Sequence, residues 1–205
     1  MKSTPRPLAP RAARGFTLLE LMITLAVAAV LAAVAVPNMR DFLRNNRLTS
    51  AANDLLRSVQ LARSEAIKLQ QVVAICAADD PEDDAATCSG GDFTGWIVFR
   101  DDNNNWARDA GEEILDGQRV PDGVFVVHSN DSIISYAATG FANPTPGPTP
   151  TSRIVLCDRR GNQQVGASST ARAVFIGPTG RTRVSKTVED VNTAMNGAGG
   201  TGACP

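Results

Sequence analysis

Three basic residues near the C-terminus are the side chains best suited to bind a charged ligand. Arg181, Arg183 and Lys186 fall within six residues. On a β-strand, alternate side chains project from one face, so Arg181 and Arg183 would form a guanidinium pair about 7 Å apart. Guanidinium groups match phosphate oxygens, and a basic strand can follow a DNA backbone without reading its bases. The alternative is a solvated strand edge whose cations pair with Glu189 and Asp190.

Residues 101–112 form an acidic and amide-rich segment that is comparable to a calcium-binding loop. Counted from Asp101, oxygen-bearing side chains occupy loop positions one, three, five and nine, and Glu112 occupies position twelve. Trp106 stands at position six, where the sharp turn of such a loop requires glycine. We therefore predict a polar hairpin tip, with calcium binding as the less favoured alternative, and we expect no cofactor.

The four cysteines, Cys76, Cys88, Cys157 and Cys204, are widely spaced, and the chain has one histidine, His128. This composition argues against a zinc site and is typical of two disulfides in an exported protein. Three pairings are possible. We favour Cys76 with Cys88, which closes a short acidic loop, and Cys157 with Cys204, which ties the tail to the rest of the chain. No nucleophile signature surrounds the histidine, so an enzyme is not expected.

The charge distribution limits the partners of the chain. Four of its 20 basic residues lie in the first fifteen positions, so the remainder carries 16 basic against 21 acidic residues, a formal charge of about −5. A chain this acidic is not a general polyanion binder. Contact with nucleic acid would therefore need a local basic patch.

The strongest signal is an apolar segment near the N-terminus. The 21 residues from Phe16 to Val36 contain one charged side chain, Glu20. As a helix the segment is about 30 Å long, enough to cross a bilayer, and the basic residues before it predict a cytoplasmic N-terminus. A secretory signal peptide cleaved after Ala35, or a plain membrane anchor, would also fit this pattern. Both alternatives leave Glu20 unexplained, because a carboxylate in an apolar helix needs a partner.

The sequence Gly15-Phe-Thr-Leu-Leu-Glu20 resembles the prepilin peptidase site of type IV pilins and type II secretion pseudopilins. The resemblance implies cleavage between Gly15 and Phe16 and N-methylation of the new terminal Phe16. Glu20 then becomes the family's assembly glutamate, and its carboxylate can pair with the Phe16 amine of a neighbouring subunit. Pro37 stands where many pilins have a helix-kinking proline.

The remaining chain is predicted to continue the helix and then form a β-rich head. Residues 16–37 are the transmembrane half of the helix, after a leader at 1–15, and residues 38–71 are an amphipathic half with one apolar stripe. Residues 72–205 form the head, which includes a proline-rich loop at 143–152. The predicted fold class is α+β, with the long helix packed on an antiparallel sheet. Strands are expected at residues 72–77, 95–100, 124–128, 133–136, 154–157, 173–176 and 182–185.

The head resembles the GspH/FimT family of minor pilins and pseudopilins. The resemblance lies in four stretches: residues 95–103, 111–115, 154–161 and 180–183. It implies a type IV pilin-like fold and two alternative functions, a minor type IV pilin or a minor pseudopilin of a type II secretion system. Some family members use a Gly-Arg-x-Arg sequence to bind double-stranded DNA in natural transformation, which suggests this role for Arg181 and Arg183, with Lys186 beside them. The implied partners are prepilin peptidase, other pilins and the inner membrane, with the head in the periplasm and later in a pilus or pseudopilus.

Overall fold

The computed structural model describes residues 15–89, 94–128, 133–143, 152–196 and 204, except for the side chains of residues 127, 128 and 196. Residues 1–14 of the predicted leader, residues 144–151 of the proline-rich loop and the side chain of His128 lie outside this description. The chain divides into two units, Met1–Phe42 and Leu43–Pro205, which are considered separately.

A single long helix, α1, spans Leu18–Leu69. Thr17 caps its start, because the backbone N–H of Glu20 donates to Thr17 Oγ1 at 3.2 Å, the spacing of a capping box. The helix ends before Gln70, which has a φ of 56° and whose side-chain amide donates to the carbonyl oxygen three residues earlier. Pro37 lies within α1 and does not end it; the bend expected there stays a prediction.

Ten strands and a second helix are present in the described part of the head. All seven expected strands are present: two have the predicted bounds, and five differ from them at one end by one to five residues. The second helix and three further strands were not expected. In chain order the elements are β1 (Val72–Ala77), β2 (Gly95–Asp101), β3 (Ile114–Arg119), β4 (Phe125–His128), β5 (Ile133–Tyr136), β6 (Ala142–Asn143), β7 (Ser152–Cys157), β8 (Gln164–Val165), β9 (Ser168–Ile176), β10 (Thr182–Thr187) and α2 (Val188–Asn196).

The strands form two antiparallel sheets, which corrects the expectation of one. Sheet 1 has the order β3-β2-β1-β5-β6, and sheet 2 has the order β10-β9-β7-β4 with β8 paired to β9. Strand composition predicts that strands form but leaves open which of them pair, because pairing joins residues far apart in sequence. The expected α+β class, with a long N-terminal helix and antiparallel strands, is confirmed.

One face of α1 packs on the inner faces of both sheets. The buried side chains of this core come from α1 and from alternate positions of the strands, where side chains alternate between faces. They include Leu48, Leu55, Val59, Ala62, Val73, Ile75, Trp96, Val98, Ile154, Leu156, Val174 and Ile176. A polar connection crosses the core: the indole N–H of Trp96 donates to Ser58 Oγ at 2.9 Å, and Ser58 Oγ donates to Asp116 at 3.4 Å. The buried indole N–H thereby keeps a partner.

Strand β3 and helix α2, which the sequence did not predict, form because they contact residues far away in the sequence. Every residue of β3 is at least partly exposed, and the strand exists through its pairing with β2. Helix α2 is mostly polar, but its Val191 and Ala194 pack on Val155 and Ala173 on the outer face of sheet 2. A nine-residue helix is marginal alone, so this packing stabilises it.

Candidate functional site

The first part of α1 is an apolar surface that the rest of its own unit does not cover. The most apolar 18-residue stretch of α1 has a mean hydropathy of 2.5 and is not buried. Phe16 is 79% exposed, and large apolar side chains from Leu18 to Val36 are exposed in the same way. This is the one helix in the described residues that is long and apolar enough to cross a membrane. Such a surface requires lipid or other apolar helices around it.

Glu20 lies in the first turn of this apolar helix. Its side chain is exposed, and within the described residues no ion pair involves its carboxylate. A negative charge in the first helical turn interacts favourably with the helix dipole. In an apolar environment this carboxylate would still need a cation, because an unpaired charge there costs about 3 kcal/mol on insertion scales.

The basic residues near the C-terminus occupy the edge of sheet 2. Lys186 and Arg183 belong to β10, whose described partner is β9, whereas Arg181 precedes the strand. All three residues are exposed. The edge position leaves one side of β10 open to a ligand or to another chain.

Arg183 already has two partners inside the head. Its guanidinium donates to both carboxylate oxygens of Asp190 on α2, at 2.7 and 3.3 Å, and lies 4.4 Å from the centre of the Phe175 ring. The hydrogen bond from Arg183 lowers the pKa of Asp190 to about 2, with help from the hydroxyls of Ser185 and Thr187. Asp190 is therefore charged at neutral pH and competes with any phosphate for Arg183.

The turn before β10 is docked on sheet 1 and α1. The backbone N–H of Gly177 donates to the carbonyl of Arg181, which closes the turn. The carbonyl of Gly180 accepts hydrogen bonds from Arg63 at 3.4 Å and from the Tyr136 hydroxyl at 3.5 Å. Burial raises the pKa of Tyr136 to about 12 despite the nearby Arg63 charge, so the hydroxyl stays protonated and can donate.

Both favoured cysteine pairings occur in the structure. Cys76 and Cys88 are joined with 5.5 Å between their Cα atoms, and Cys157 and Cys204 with 6.0 Å. Both distances lie in the normal range for disulfides. The first bond holds the segment after β1 over the outer face of sheet 1, and the second holds residue 204 against the outer face of sheet 2.

Two buried carboxylates in the segment at 101–112 accept hydrogen bonds from backbone N–H groups of the same segment. Buried Asp101 accepts hydrogen bonds from the backbone N–H groups of Asn105 and Trp106, and Glu112 accepts them from Asp102 and Asp109. Among the described residues no group of three or more His, Cys, Asp or Glu side chains is placed to hold a metal ion. The segment is thus an internally bonded turn between β2 and β3.

A small basic cleft lies where α1 enters the head, and the sequence did not predict it. It has a volume of about 100 Å³. Its lining comes from the first turns of α1 in the head, from the turn between β3 and β4, and from the chain after β7. The lining residues are Arg44, Arg47, Asp122, Gly123, Val124, Asp158 and Arg159. Because these three segments are far apart in sequence, no local pattern could have revealed the cleft.

The class of protein follows from family comparison. Residues 51–180 match the family model described as Type II transport protein GspH, and residues 10–36 match the prokaryotic N-terminal methylation motif. The first match covers well over half of the chain, so the protein belongs to the GspH family, which contains pilins and pseudopilins. These are structural proteins and not enzymes.

Individual relatives include a fimbrial protein of Pseudomonas aeruginosa, 31% identical over 74 residues, which are 36% of this chain and 48% of the relative. The chain thus spans about half the length of the curated relatives that it matches. Among solved structures, the type IV minor pilin FimU of P. aeruginosa is 19% identical with a TM-score of 0.46, covering 72% of this chain and 94% of its own. The minor pseudopilin EpsH of the Vibrio cholerae type 2 secretion system is 9% identical with a TM-score of 0.45, covering 68% and 97%.

Proposed function

We propose that this protein is a minor type IV pilin that enters the inner membrane, is cleaved between Gly15 and Phe16 by prepilin peptidase, is N-methylated at Phe16 and assembles into a pilus. The observation that carries the proposal is the exposed apolar part of α1 with Glu20 in its first turn. The family match and the methylation motif support a pilin or pseudopilin with a processed N-terminus.

Assembly would remove two unfavourable features of the isolated subunit, its exposed apolar helix and the carboxylate of Glu20, which has no ion pair among the described residues. Apolar helices that bundle together remove their exposed side chains from a polar environment. Glu20 then gains the free amine of a neighbouring Phe16 as a cationic partner, which offsets the cost of burying its carboxylate and fixes the axial register of the subunits. Pro37 is proposed to bend the helix between the filament core and the head.

Processing and assembly can be tested together on the native protein. Mass spectrometry should find N-methylated Phe16 as the first residue. Glu20→Ala should reduce the amount of protein in sheared pili at least ten-fold while leaving it in the membrane. Glu189→Ala, which removes an exposed charge from the head, is the matched control and should assemble normally. A first residue at Val36, or normal assembly of the Glu20 variant, would contradict the proposal.

The alternative within the family is a minor pseudopilin of a type II secretion system. The two functions differ in where the subunit is found and in what its loss disables. Deletion should remove surface pili or transformation and leave protein secretion intact if the pilin proposal holds. Loss of secretion with normal pili would assign the protein to the secretion system instead.

DNA binding by the head is a second proposed activity, favoured by the three exposed cations at the open edge of sheet 2. A phosphate approaching this edge would meet Arg181 and Lys186 and would have to replace Asp190 as the partner of Arg183. We therefore expect weak, salt-sensitive binding without base preference.

The test is binding of the soluble head, residues 38–205, to double-stranded DNA across a salt series. The Arg181→Ala/Arg183→Ala variant should bind more weakly, with a log–log salt slope smaller by roughly 2. The control is Arg57→Ala/Arg119→Ala, which removes two arginines elsewhere on the head. Equal losses in both variants, or no binding at low salt, would refute this activity.

A further inference from the structure

The basic cleft at the entry end of the head is separate from the basic strand β10. Arg47 lines the cleft, whereas Arg63, whose guanidinium contacts the turn before β10, lies sixteen residues further along α1. At about 1.5 Å per residue the two positions are about 24 Å apart along the helix. A ligand in the cleft would thus be distinct from one bound at β10.

One of the two acidic side chains in the cleft is already neutralised. Asp158 is buried and accepts hydrogen bonds from Arg160, with a closest distance of 2.6 Å. Burial raises the pKa of Asp158, but the hydrogen bonds and charge of Arg160 and the charge of Arg44 outweigh that effect and lower it. Arg160 also donates to Asn45 at 3.0 Å, which fixes the pair to α1.

The remaining side chains leave the cleft positive. Arg47 and Arg159 are exposed at its rim, and Asp122 is the other acidic residue in its lining. A volume of about 100 Å³ corresponds to roughly three water molecules, which suits one compact anionic group. Arginine is well adapted to such a group, because its planar donors match phosphate oxygens.

The position of the cleft residues in the chain favours one source of the anion. Arg44 and Arg47 come eight and eleven residues after Val36, the last residue of the apolar segment. Eleven residues span at most about 40 Å even when fully extended, so the covalent chain limits the distance of Arg47 from any bilayer that holds the segment to about 40 Å. The anionic groups that are always within this distance are phospholipid headgroups.

We propose that this cleft binds the phosphodiester headgroup of an anionic phospholipid while the subunit is anchored in the membrane before assembly. Binding there would hold the entry end of the head at the bilayer surface. Because pilins and pseudopilins share the membrane-anchored stage, the proposal is independent of which filament the subunit joins and of DNA binding at β10.

The test uses the full-length processed protein in nonionic detergent, titrated with phosphatidylglycerol or phosphatidylcholine, with bound lipid counted by native mass spectrometry. The protein should prefer phosphatidylglycerol. Arg47→Gln/Arg159→Gln should lower its affinity for that lipid roughly 30-fold, at about five-fold per arginine. The matched control is Arg181→Gln/Arg183→Gln, which removes two arginines from the other basic surface and should retain the preference.

Two further measurements distinguish lipid binding at the cleft from misfolding of a variant and from binding of free phosphate. Asp122→Asn should raise affinity for phosphatidylglycerol roughly five-fold, a gain that misfolding cannot produce. Inorganic phosphate at millimolar concentration should not displace the lipid; full displacement would mean that the cleft binds free phosphate and would overturn the proposal. Unchanged lipid binding in the Arg47/Arg159 variant, or equal losses in the control, would overturn it as well.

Discussion

Gly180 offers a direct test of how the turn before β10 is held. Its φ is 74°, a conformation that L side chains rarely adopt. A Cβ at this position would lie 2.7 Å from the carbonyl oxygen of Gly140 and 2.9 Å from Cε1 of Tyr136. The substitution Gly180→Ala therefore combines backbone strain with a collision against backbone that cannot move independently.

The matched control is Gly166→Ala, which carries the strain without the collision. Gly166 has a φ of 63°, and a Cβ there would meet no atom within 4 Å. We expect the control to lose about 1–2 kcal/mol of unfolding free energy from its positive φ. Gly180→Ala should lose a further 1–3 kcal/mol, roughly, from overpacking.

Urea unfolding of the soluble head, followed by the fluorescence of buried Trp96, measures both losses. The fragment 38–205 is suitable because every buried residue of the described chain lies at or after Leu48. Equal destabilisation by Gly180→Ala and Gly166→Ala would refute the reasoning, since it would mean that the docked turn moves away at no cost. A larger loss for Gly180→Ala would mean that the close packing of the turn against Gly140 and Tyr136 requires glycine at this position.

Three other substitutions test the charges and the disulfide of the head. Asp190→Asn frees Arg183 and should tighten DNA binding roughly two- to five-fold in fluorescence anisotropy, whereas weaker binding would contradict the competition. Asp158→Asn weakens the charged hydrogen bonds from half-buried Arg160 and should cost about 2 kcal/mol in urea unfolding at pH 7. The pKa of Asp158 is lowered in the folded state, so its stabilising contribution is present above the unfolded pKa and is lost as the pH falls through the folded pKa. The difference between variant and parent should therefore shrink as the pH falls below about 4, and a constant difference would argue against the ion pair. Cys204→Ser removes a disulfide with a sequence separation of 47 and should lower the unfolding free energy by about 4 kcal/mol relative to the parent protein. Under reducing conditions this difference between parent and variant should vanish.

The sequence was informative wherever the signal is local. The apolar segment from Phe16 to Val36, with Glu20 as its one charged residue, predicted a helix long enough to span a membrane. The recurring apolar stripe after Pro37 predicted the buried face of α1. β-Branched runs between turn residues located the main strands. Six of the seven residues of the predicted stripe are buried, namely Leu48, Ala52, Leu55, Val59, Ala62 and Ala66, whereas Leu69 is partly exposed. These features depend on residues a few positions apart, which periodicity captures.

Only the tertiary structure decided which distant residues meet. The division into two sheets, the polar strand β3 and the short helix α2 depend on partners far away in sequence. So does the site chemistry: Arg183 faces Asp190 and Phe175, and the cleft around Arg47 is assembled from three segments. The sequence by itself predicted an apolar helix long enough to cross a membrane, the class of fold and the candidate cations. Tertiary contacts decided that Arg183 is paired with Asp190, because the strength of a charge pair depends on distance and burial that only folding sets.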